Sequence, residues 1–204
     1  MLVKKRELPI LLVNLAYILS FGLVSVWRLN YEFMIYVGVV VLFLCLIAAT
    51  QRRVGFSRTV LWGLTAWGFM HLAGGTVYVG GARLYELILF PLLPAQGILR
   101  YDQFVHAFGF GAATLVAYHL LRPRLRERPV GWGTLSVLIV LMGMGLGALN
   151  EVIEFGVVLV APEAGVGGYL NTALDLVFNM LGAVMAVCWI NVQRRRQKSD
   201  LPAV

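Results

Sequence analysis

The sequence is poor in charge, since Asp, Glu, Lys and Arg make up only 13% of its 204 residues. A soluble domain carries about 25% charged residues. Hydrophobic residues account for 60% of the chain, and the mean hydropathy is +0.82. This composition excludes an ordinary soluble domain and indicates a membrane protein.

Cysteine is also scarce. The two cysteines, Cys45 and Cys188, lie inside apolar runs and not in loops. A disulfide framework needs paired cysteines in an extracytoplasmic fold, and a cysteine metal site needs closely spaced pairs. The sequence therefore excludes zinc-finger and thiol redox functions.

The apolar residues form runs long enough to cross a bilayer. About 20 helical residues span roughly 30 Å of hydrocarbon. The runs are continuous and lack the alternation of a β-barrel wall, so helices are expected and the fold class is all-α. Six spans are predicted in one domain covering residues 1–204: residues 8–26, 33–50, 59–78, 104–121, 135–160 and 170–192.

Basic residues cluster in alternate connections between these spans. Fourteen of the seventeen Lys and Arg fall on one side, and only Arg28, Arg83 and Arg100 fall on the other. The positive-inside rule then predicts that both termini are cytoplasmic. The fourteen are Lys4, Lys5, Arg6, Arg52, Arg53, Arg58, Arg122, Arg124, Arg126, Arg128, Arg194, Arg195, Arg196 and Lys198. This basicity sets topology and attracts anionic lipid, so the bilayer is the expected partner and nucleic acid is not.

A shorter apolar segment, residues 84–90, lies between the third and fourth spans. It is too short to cross the membrane, and Pro91 and Pro94 end it. The pattern predicts a short helix at the outer interface.

Ionisable residues within the spans are the strongest functional signal, because a charge in hydrocarbon costs several kcal/mol. With the predicted orientation, all of them fall in the outer half of the membrane, and the first two spans contribute none. They are His71, Asp102, His106, Glu151, Glu154 and Asp175, with Asn150, Asn171 and Asn179 as polar companions.

Their spacing places them on shared helical faces. Asp102 and His106 are four residues apart, as are Asp175 and Asn179, and Glu151 lies three before Glu154. Residues at these offsets are neighbours on one face of a helix. If those faces turn inward, they form an acidic pocket open to the outer side.

A metal site is the first hypothesis for this pocket. Imidazole and carboxylate groups on facing helices bind zinc, manganese or iron, and all six ionisable residues are candidate ligands for a divalent ion. Glu151, Glu154, Asp175 and His106 are candidate catalytic groups, and His71, Tyr101, Asn150 and Asn179 are candidate ligand-binding groups. The ligand would be a lipid-linked or small amphipathic molecule.

Two other hypotheses remain open. The acids could exchange protons or ions during solute transport. Alternatively, the polar groups only tie helices together through hydrogen bonds. For Asn14, His119 and Asn191, which stand alone, the structural interpretation is the expected one.

Three short motifs resemble a known family. Asp102-x-x-x-His106, Glu151-x-x-Glu154 and Asp175-x-x-x-Asn179-x-x-Gly182 resemble the pattern of VanZ-like membrane proteins. The Glu-x-x-Glu form and the extra run that starts at His71 look closer to the related YjdF-like inner-membrane proteins.

The resemblance implies a bacterial cytoplasmic-membrane protein with a role in the cell envelope. The sequence departs from the pattern at Gln103, where a Lys is common, and it has no Arg between Glu154 and Asp175. Since no cation is then available to meet an anionic ligand directly, a metal would have to do so.

Overall fold

The computed structural model describes residues 5–92, 97–125, 130–160 and 168–199, with side chains up to residue 196. Lys4, Arg126 and Arg128, which entered the orientation argument, lie outside the described residues, as do Pro94 and the side chain of Lys198. Six long helices make up most of the described chain: α1 (Leu8–Trp27), α2 (Tyr31–Val54), α3 (Arg58–Thr76), α4 (Tyr101–Leu125), α5 (Trp132–Val160) and α6 (Tyr169–Ser199).

Local sequence signals set several helix ends. The Asn30 side chain accepts a hydrogen bond from the backbone N–H of Phe33 at the start of α2, and Ser57 does the same for Val60 at the start of α3. Such side chains satisfy backbone donors that a helix leaves unpaired. Gly55 ends α2 with a φ of 66°, which glycine adopts without steric cost.

Five of these helical stretches are long and apolar enough to cross a membrane: Lys5–Trp27, Tyr31–Val54, Tyr101–Leu125, Trp132–Val160 and Tyr169–Arg196. Large apolar side chains such as Leu23 and Val152 cover their outer faces and are more than half exposed. That surface suits acyl chains and not water. The expectation of an all-helical membrane protein is therefore confirmed.

The third predicted span differs from the other five. It corresponds to α3, which has 19 residues and ends at Thr76, two residues earlier than predicted. Glycine, threonine and His71 dilute its aliphatic residues, so α3 is not among the strongly apolar stretches. It packs between α1 and α4. A sixth crossing by α3 stays a prediction.

Helices α2 and α4 begin earlier than predicted, and this changes which charged residues lie within helices. Helix α2 begins at Tyr31, so Glu32 lies in its first turn and is buried. The expectation that the first two spans carry no ionisable residue was wrong here, because Glu32 pairs with Arg83 at 2.9 Å and so tolerates burial. Helix α4 begins at Tyr101, which brings Asp102 into the helix.

The connection from α3 to α4 contains the only strands among the described residues. Strand β1 (Tyr78–Val79) pairs with β2 (Ala82–Arg83) around Gly80 and Gly81, whose positive φ angles suit a tight hairpin turn. We call the end of the bundle that carries this turn the hairpin end.

The predicted short helix over residues 84–90 is mostly extended. Only Leu84–Glu86 forms a 3-10 turn. Beyond it, Leu89 N–H donates to Leu99 O at 2.9 Å, and Tyr101 N–H donates to Leu87 O at 2.8 Å. These cross-chain bonds satisfy backbone groups that a helix would have paired internally, so the helix prediction was wrong beyond Glu86.

Small residues allow α4, α5 and α6 to pack closely. A side chain at Gly182 of α6 would collide with the backbone oxygen of Ala107 in α4. One at Gly143 of α5 would collide with Thr114 of α4, and one at Gly147 with Asn179 of α6. This close approach brings the polar residues of three helices together.

We expect the Gly182→Ala variant to be destabilised by about 2 kcal/mol, because its added methyl group meets backbone that cannot move aside. Gly145→Ala on α5 is the matched control, since Gly145 has open space around it and alanine favours helix. Thermal unfolding of the two variants in detergent would measure the difference. Equal unfolding temperatures would contradict this packing.

Candidate functional site

His106 lies at the centre of a polar cluster formed by three helices near the hairpin end. Helix α4 contributes Asp102 and His106, α5 contributes Glu151 and Glu154, and α6 contributes Asp175 and Asn179. Glu154 and Glu151 lie about 9 and 14 Å before the end of α5, at the 1.5 Å rise per residue of a helix. The two glutamates are therefore set below the end of α5, whereas Asp102 lies in the first turn of α4.

The carboxylates surround the imidazole ring on both edges. His106 Nε2 lies 3.6 Å from Asp102 Oδ1 and 4.0 Å from Glu154 Oε1. His106 Nδ1 lies 3.8 Å from Glu151 Oε1. All four side chains are at most one-fifth exposed. These separations are longer than direct hydrogen bonds, so the groups face one another across a small gap.

Two asparagines hold carboxylates of their own helices. Asn150 Nδ2 donates to Glu154 Oε1 at 2.7 Å within α5, and Asn171 Nδ2 donates to Asp175 Oδ2 at 2.6 Å within α6. Asn171 also reaches Asp102 Oδ2 across the helix interface at 3.5 Å. The amides thus orient the carboxylates while leaving other carboxylate oxygens available.

Asn179 orients the imidazole. Its Oδ1 lies 3.1 Å from His106 Nδ1. Because an amide oxygen only accepts, His106 Nδ1–H is the donor of this hydrogen bond. The lone pair of Nε2 then points toward Asp102 and Glu154. Metal-bound histidines commonly show this arrangement, in which the second ring nitrogen donates to a carbonyl or carboxylate oxygen.

Several buried polar atoms have no hydrogen-bond partner in the described part of the chain. Within the cluster these atoms are Glu151 Oε1, Asp175 Oδ1 and Asn179 Nδ2. Both Asp175 and Asn179 are fully buried. A buried polar atom without a partner costs about 1–3 kcal/mol. A bound cation, water or ligand at this point would remove part of that cost.

Two overlapping groups have the geometry to hold a metal ion. The first comprises Asp102, His106 and Asp175, and the second comprises His106, Glu151 and Glu154. In each group one donor atom per residue lies within 4.8 Å of the others. Five of the six predicted metal ligands thus belong to these two groups, which share the His106 imidazole.

The sixth predicted ligand, His71, lies outside both groups. Its ring stacks on Trp67 with centroids 5.4 Å apart, and its Nδ1 lies 2.6 Å from the hydroxyl of Tyr85. The same hydroxyl donates to the His71 backbone oxygen at 2.8 Å, so Nδ1–H donates to the Tyr85 oxygen. His71 belongs to an aromatic neighbourhood on α3.

Of the predicted ligand-binding residues, Asn150 and Asn179 belong to the cluster. The Tyr101 hydroxyl instead donates to the backbone oxygen of Met70 at 3.2 Å and links α4 to α3. Its ring lies 6.1 Å from that of Tyr85.

Tyr85 was not among the predicted site residues, because in the sequence it is one more residue of the apolar segment 84–90. Burial raises the pKa of Tyr85 well above its usual value, and the negative charge of Asp102 adds to this effect. Tyr85 therefore stays neutral and keeps its proton for hydrogen bonding. A signal was present, since Tyr78, Tyr85 and Tyr101 all lie close to the connection between α3 and α4.

The role of Gln103 was also missed. Its Oε1 accepts hydrogen bonds from the backbone N–H groups of Leu99, at 2.6 Å, and Arg100, at 3.1 Å. Gln103 is buried, and Leu99 has a positive φ of 69°. Gln103 therefore holds the turn that leads into α4, and a Lys could not accept these bonds.

Arg83 and Glu32 form an ion pair at the hairpin end. Burial of Arg83 disfavours its charge, but the hydrogen bond and the charge of Glu32 outweigh this and raise the pKa of Arg83. Arg28 donates to the backbone oxygen of Thr76 at 2.8 Å, which closes the end of α3. The Arg83–Glu32 pair holds the hairpin against the start of α2, and the Arg28 bond holds the connection between α1 and α2 against the end of α3.

A family model described as predicted membrane protein (DUF2238) matches residues 9–196, which include all six helices almost completely. No curated protein and no solved structure matches the chain. The match covers most of the sequence and agrees with the apolar helices, and the chain belongs to the DUF2238 family of predicted membrane proteins.

Proposed function

We propose that this protein binds a divalent metal ion at His106 and its surrounding carboxylates, and through it binds or acts on the polar end of a lipid-linked or small amphipathic ligand. The observation that carries the proposal is the convergence of four carboxylates and one imidazole from three helices, with two carboxylate oxygens left unpaired. Four carboxylates at this depth would repel one another strongly without a cation.

The donor set suits zinc, manganese or iron. Two ligands at tetrahedral positions, about 2.1 Å from a metal, are about 3.4 Å apart. The distances of 3.6 and 4.0 Å from His106 Nε2 to Asp102 and Glu154 are close to that spacing. When bound, such an ion activates water or polarises a phosphoryl or carbonyl oxygen.

The residues then take distinct roles. His106 holds the ion together with either Asp102 and Asp175 or Glu151 and Glu154, Asn179 fixes the imidazole, and Asn150 positions Glu154. Glu151 in the first case, or Asp175 in the second, keeps an unpaired buried oxygen that can accept a proton from a bound water or ligand. His71 and Tyr101, joined through Tyr85, would contact a ligand from the α3 side.

The cellular setting follows from charge and resemblance. The excess of Lys and Arg at the opposite end of the bundle favours cytoplasmic termini and a cluster in the outer half of the membrane. The VanZ-like and YjdF-like motifs favour a bacterial cytoplasmic membrane and a role in the cell envelope. Such a site would be open to molecules of the outer leaflet.

The purely structural alternative predicts polar groups that bond to each other across helices. Asn14 shows that arrangement: it donates to Thr65 Oγ1 at 2.7 Å, accepts from Tyr17 at 2.6 Å, and so ties α1 to α3. In the His106 cluster the two shortest bonds stay within single helices, and three buried atoms are unpaired. This difference favours a binding role over helix packing.

We expect His106→Ala to abolish metal binding, because it removes the only nitrogen ligand of both groups. His119→Ala is the matched control on the same helix, since His119 Nδ1 donates to Leu115 O away from the cluster. Elemental analysis of protein purified from membranes without chelators would measure bound zinc, manganese and iron. A wild-type protein without metal, or equal metal in both variants, would refute the proposal.

We expect Asn179→Ala to weaken metal binding by about 10- to 100-fold, because the imidazole loses the partner that orients it. Asn191→Ala on the same helix is the control, since Asn191 lies about three turns away from Asn179. Competition with a chelating dye would measure zinc affinity in detergent. An Asn179 variant with wild-type affinity would show that the amide does not position the ligand.

We expect no proton flux through the wild-type protein in liposomes, because a metal site needs no proton path across the bilayer. A pH-sensitive dye inside vesicles, with an imposed pH gradient, would measure the flux. A flux that exceeds that of protein-free vesicles, and that Glu154→Gln removes, would favour the transporter hypothesis instead.

A further inference from the structure

An apolar cavity of about 250 Å³ lies beside the cluster, and the proposed metal chemistry does not use it. Helices α3 and α4 form its floor, where Leu64 and Ala113 are among the lining residues. Phe43 and Ile47 of α2 line one side, and Leu146 and Leu149 of α5 line the other. We call this cavity the apolar groove.

The groove is open on the side of the bundle that would face the lipid of a membrane. Helix α2 packs against α1 and α3, whereas α5 packs against α4 and α6, so the two helices flank the groove from opposite sides. The side chains on both edges are exposed: Phe43 by 43%, Leu149 by 54%. These edges would contact hydrocarbon in a membrane, so a lipid chain could enter sideways.

One end of the apolar groove reaches the polar cluster. Asn150 and Ile153 line the groove, and Asn150 Nδ2 donates to the Glu154 oxygen that faces His106. Along the rest of the wall, the polar groups of Asn14, Tyr17 and Thr65 bond to one another and present little free polarity. The groove is thus apolar along its length and polar at one end.

We infer that the apolar groove binds one hydrocarbon chain of a membrane lipid, which enters between α2 and α5 and places the lipid's polar head at the His106 cluster. The inference rests on the proposed function, because it names the class of ligand for that site. The match is between two amphipathic shapes, an apolar channel that ends at a polar centre and a lipid with an apolar tail and a polar head.

The dimensions favour a single chain over a protein partner. The lining runs from Leu61 to Gly68 on α3 and from Gly109 to Val116 on α4, about 10 Å along each helix. A partner helix with its side chains is about 10–12 Å wide and needs a far larger groove than this one. A lipid chain needs only the width of a methylene row.

Trp67 offers a direct probe, because it lines the apolar groove and contacts Phe43 with ring centroids 6.4 Å apart. In a variant whose other four tryptophans are replaced by Phe, Trp67 is the sole source of indole fluorescence. The protein would be reconstituted into vesicles of phosphatidylcholine brominated in the middle of its chains. Bromine quenches indole only at short range, so we expect strong quenching of Trp67.

Filling the groove should remove this signal. In the single-tryptophan background we expect Ala113→Phe to reduce quenching by about twofold, because its ring occupies the space of the lipid chain. Leu120→Phe is the matched control on α4, since Leu120 is exposed and does not line the groove. Leu149→Phe, at the exposed edge, gives a second test that does not disturb the interior and should also reduce quenching.

The outcomes separate this inference from the metal proposal. The inference is supported if Trp67 is quenched, if Ala113→Phe and Leu149→Phe both reduce the quenching, and if the metal content of these variants is unchanged. Unquenched Trp67 in the unblocked protein, or equal quenching in the Ala113, Leu149 and Leu120 variants, would overturn it even if metal is bound. A protein that shows the expected quenching but binds no metal would overturn the proposed function alone.

Discussion

The cost of an isolated charge in hydrocarbon is the constraint on which this structure depends. A buried carboxylate away from water must find a proton, a cation or several hydrogen-bond donors. Asp102, Glu151, Glu154 and Asp175 meet this need by gathering around one imidazole, with Asn150 and Asn171 as donors. The grouping satisfies only part of the need, since Glu151 and Asp175 keep unpaired buried oxygens. These two unpaired oxygens are the strongest indication that the site binds a ligand.

Close helix packing makes the grouping possible. Gly182 lets α6 approach the backbone of α4, and Gly147 leaves room on α5 for Asn179. In a membrane, small residues promote such contacts because apolar side chains gain little by leaving lipid. The glycines and the carboxylates are therefore parts of one arrangement. Displacing one helix would separate His106 from its neighbours.

The polar cluster and the apolar groove adjoin at α5. Asn150 lines the groove, and its amide donates a hydrogen bond to Glu154, so the same residue belongs to both surfaces. A molecule with a hydrocarbon tail and a polar head would match this pair of surfaces along its whole length. This continuity joins the chemistry proposed for His106 to the membrane in which the helices lie.

Composition and spacing were enough to predict helices, the basic and acidic ends, and the shared faces of Asp102 with His106 and of Glu151 with Glu154, because these features depend on local periodicity. Distances between helices depend on packing, which no local pattern encodes. Only the folded chain therefore shows that His71 lies apart from the cluster and is hydrogen-bonded to Tyr85. The same holds for the buried pair of Glu32 and Arg83 and for the turn that Gln103 holds. The apolar groove belongs to the same class, since five helices must assemble before its walls exist.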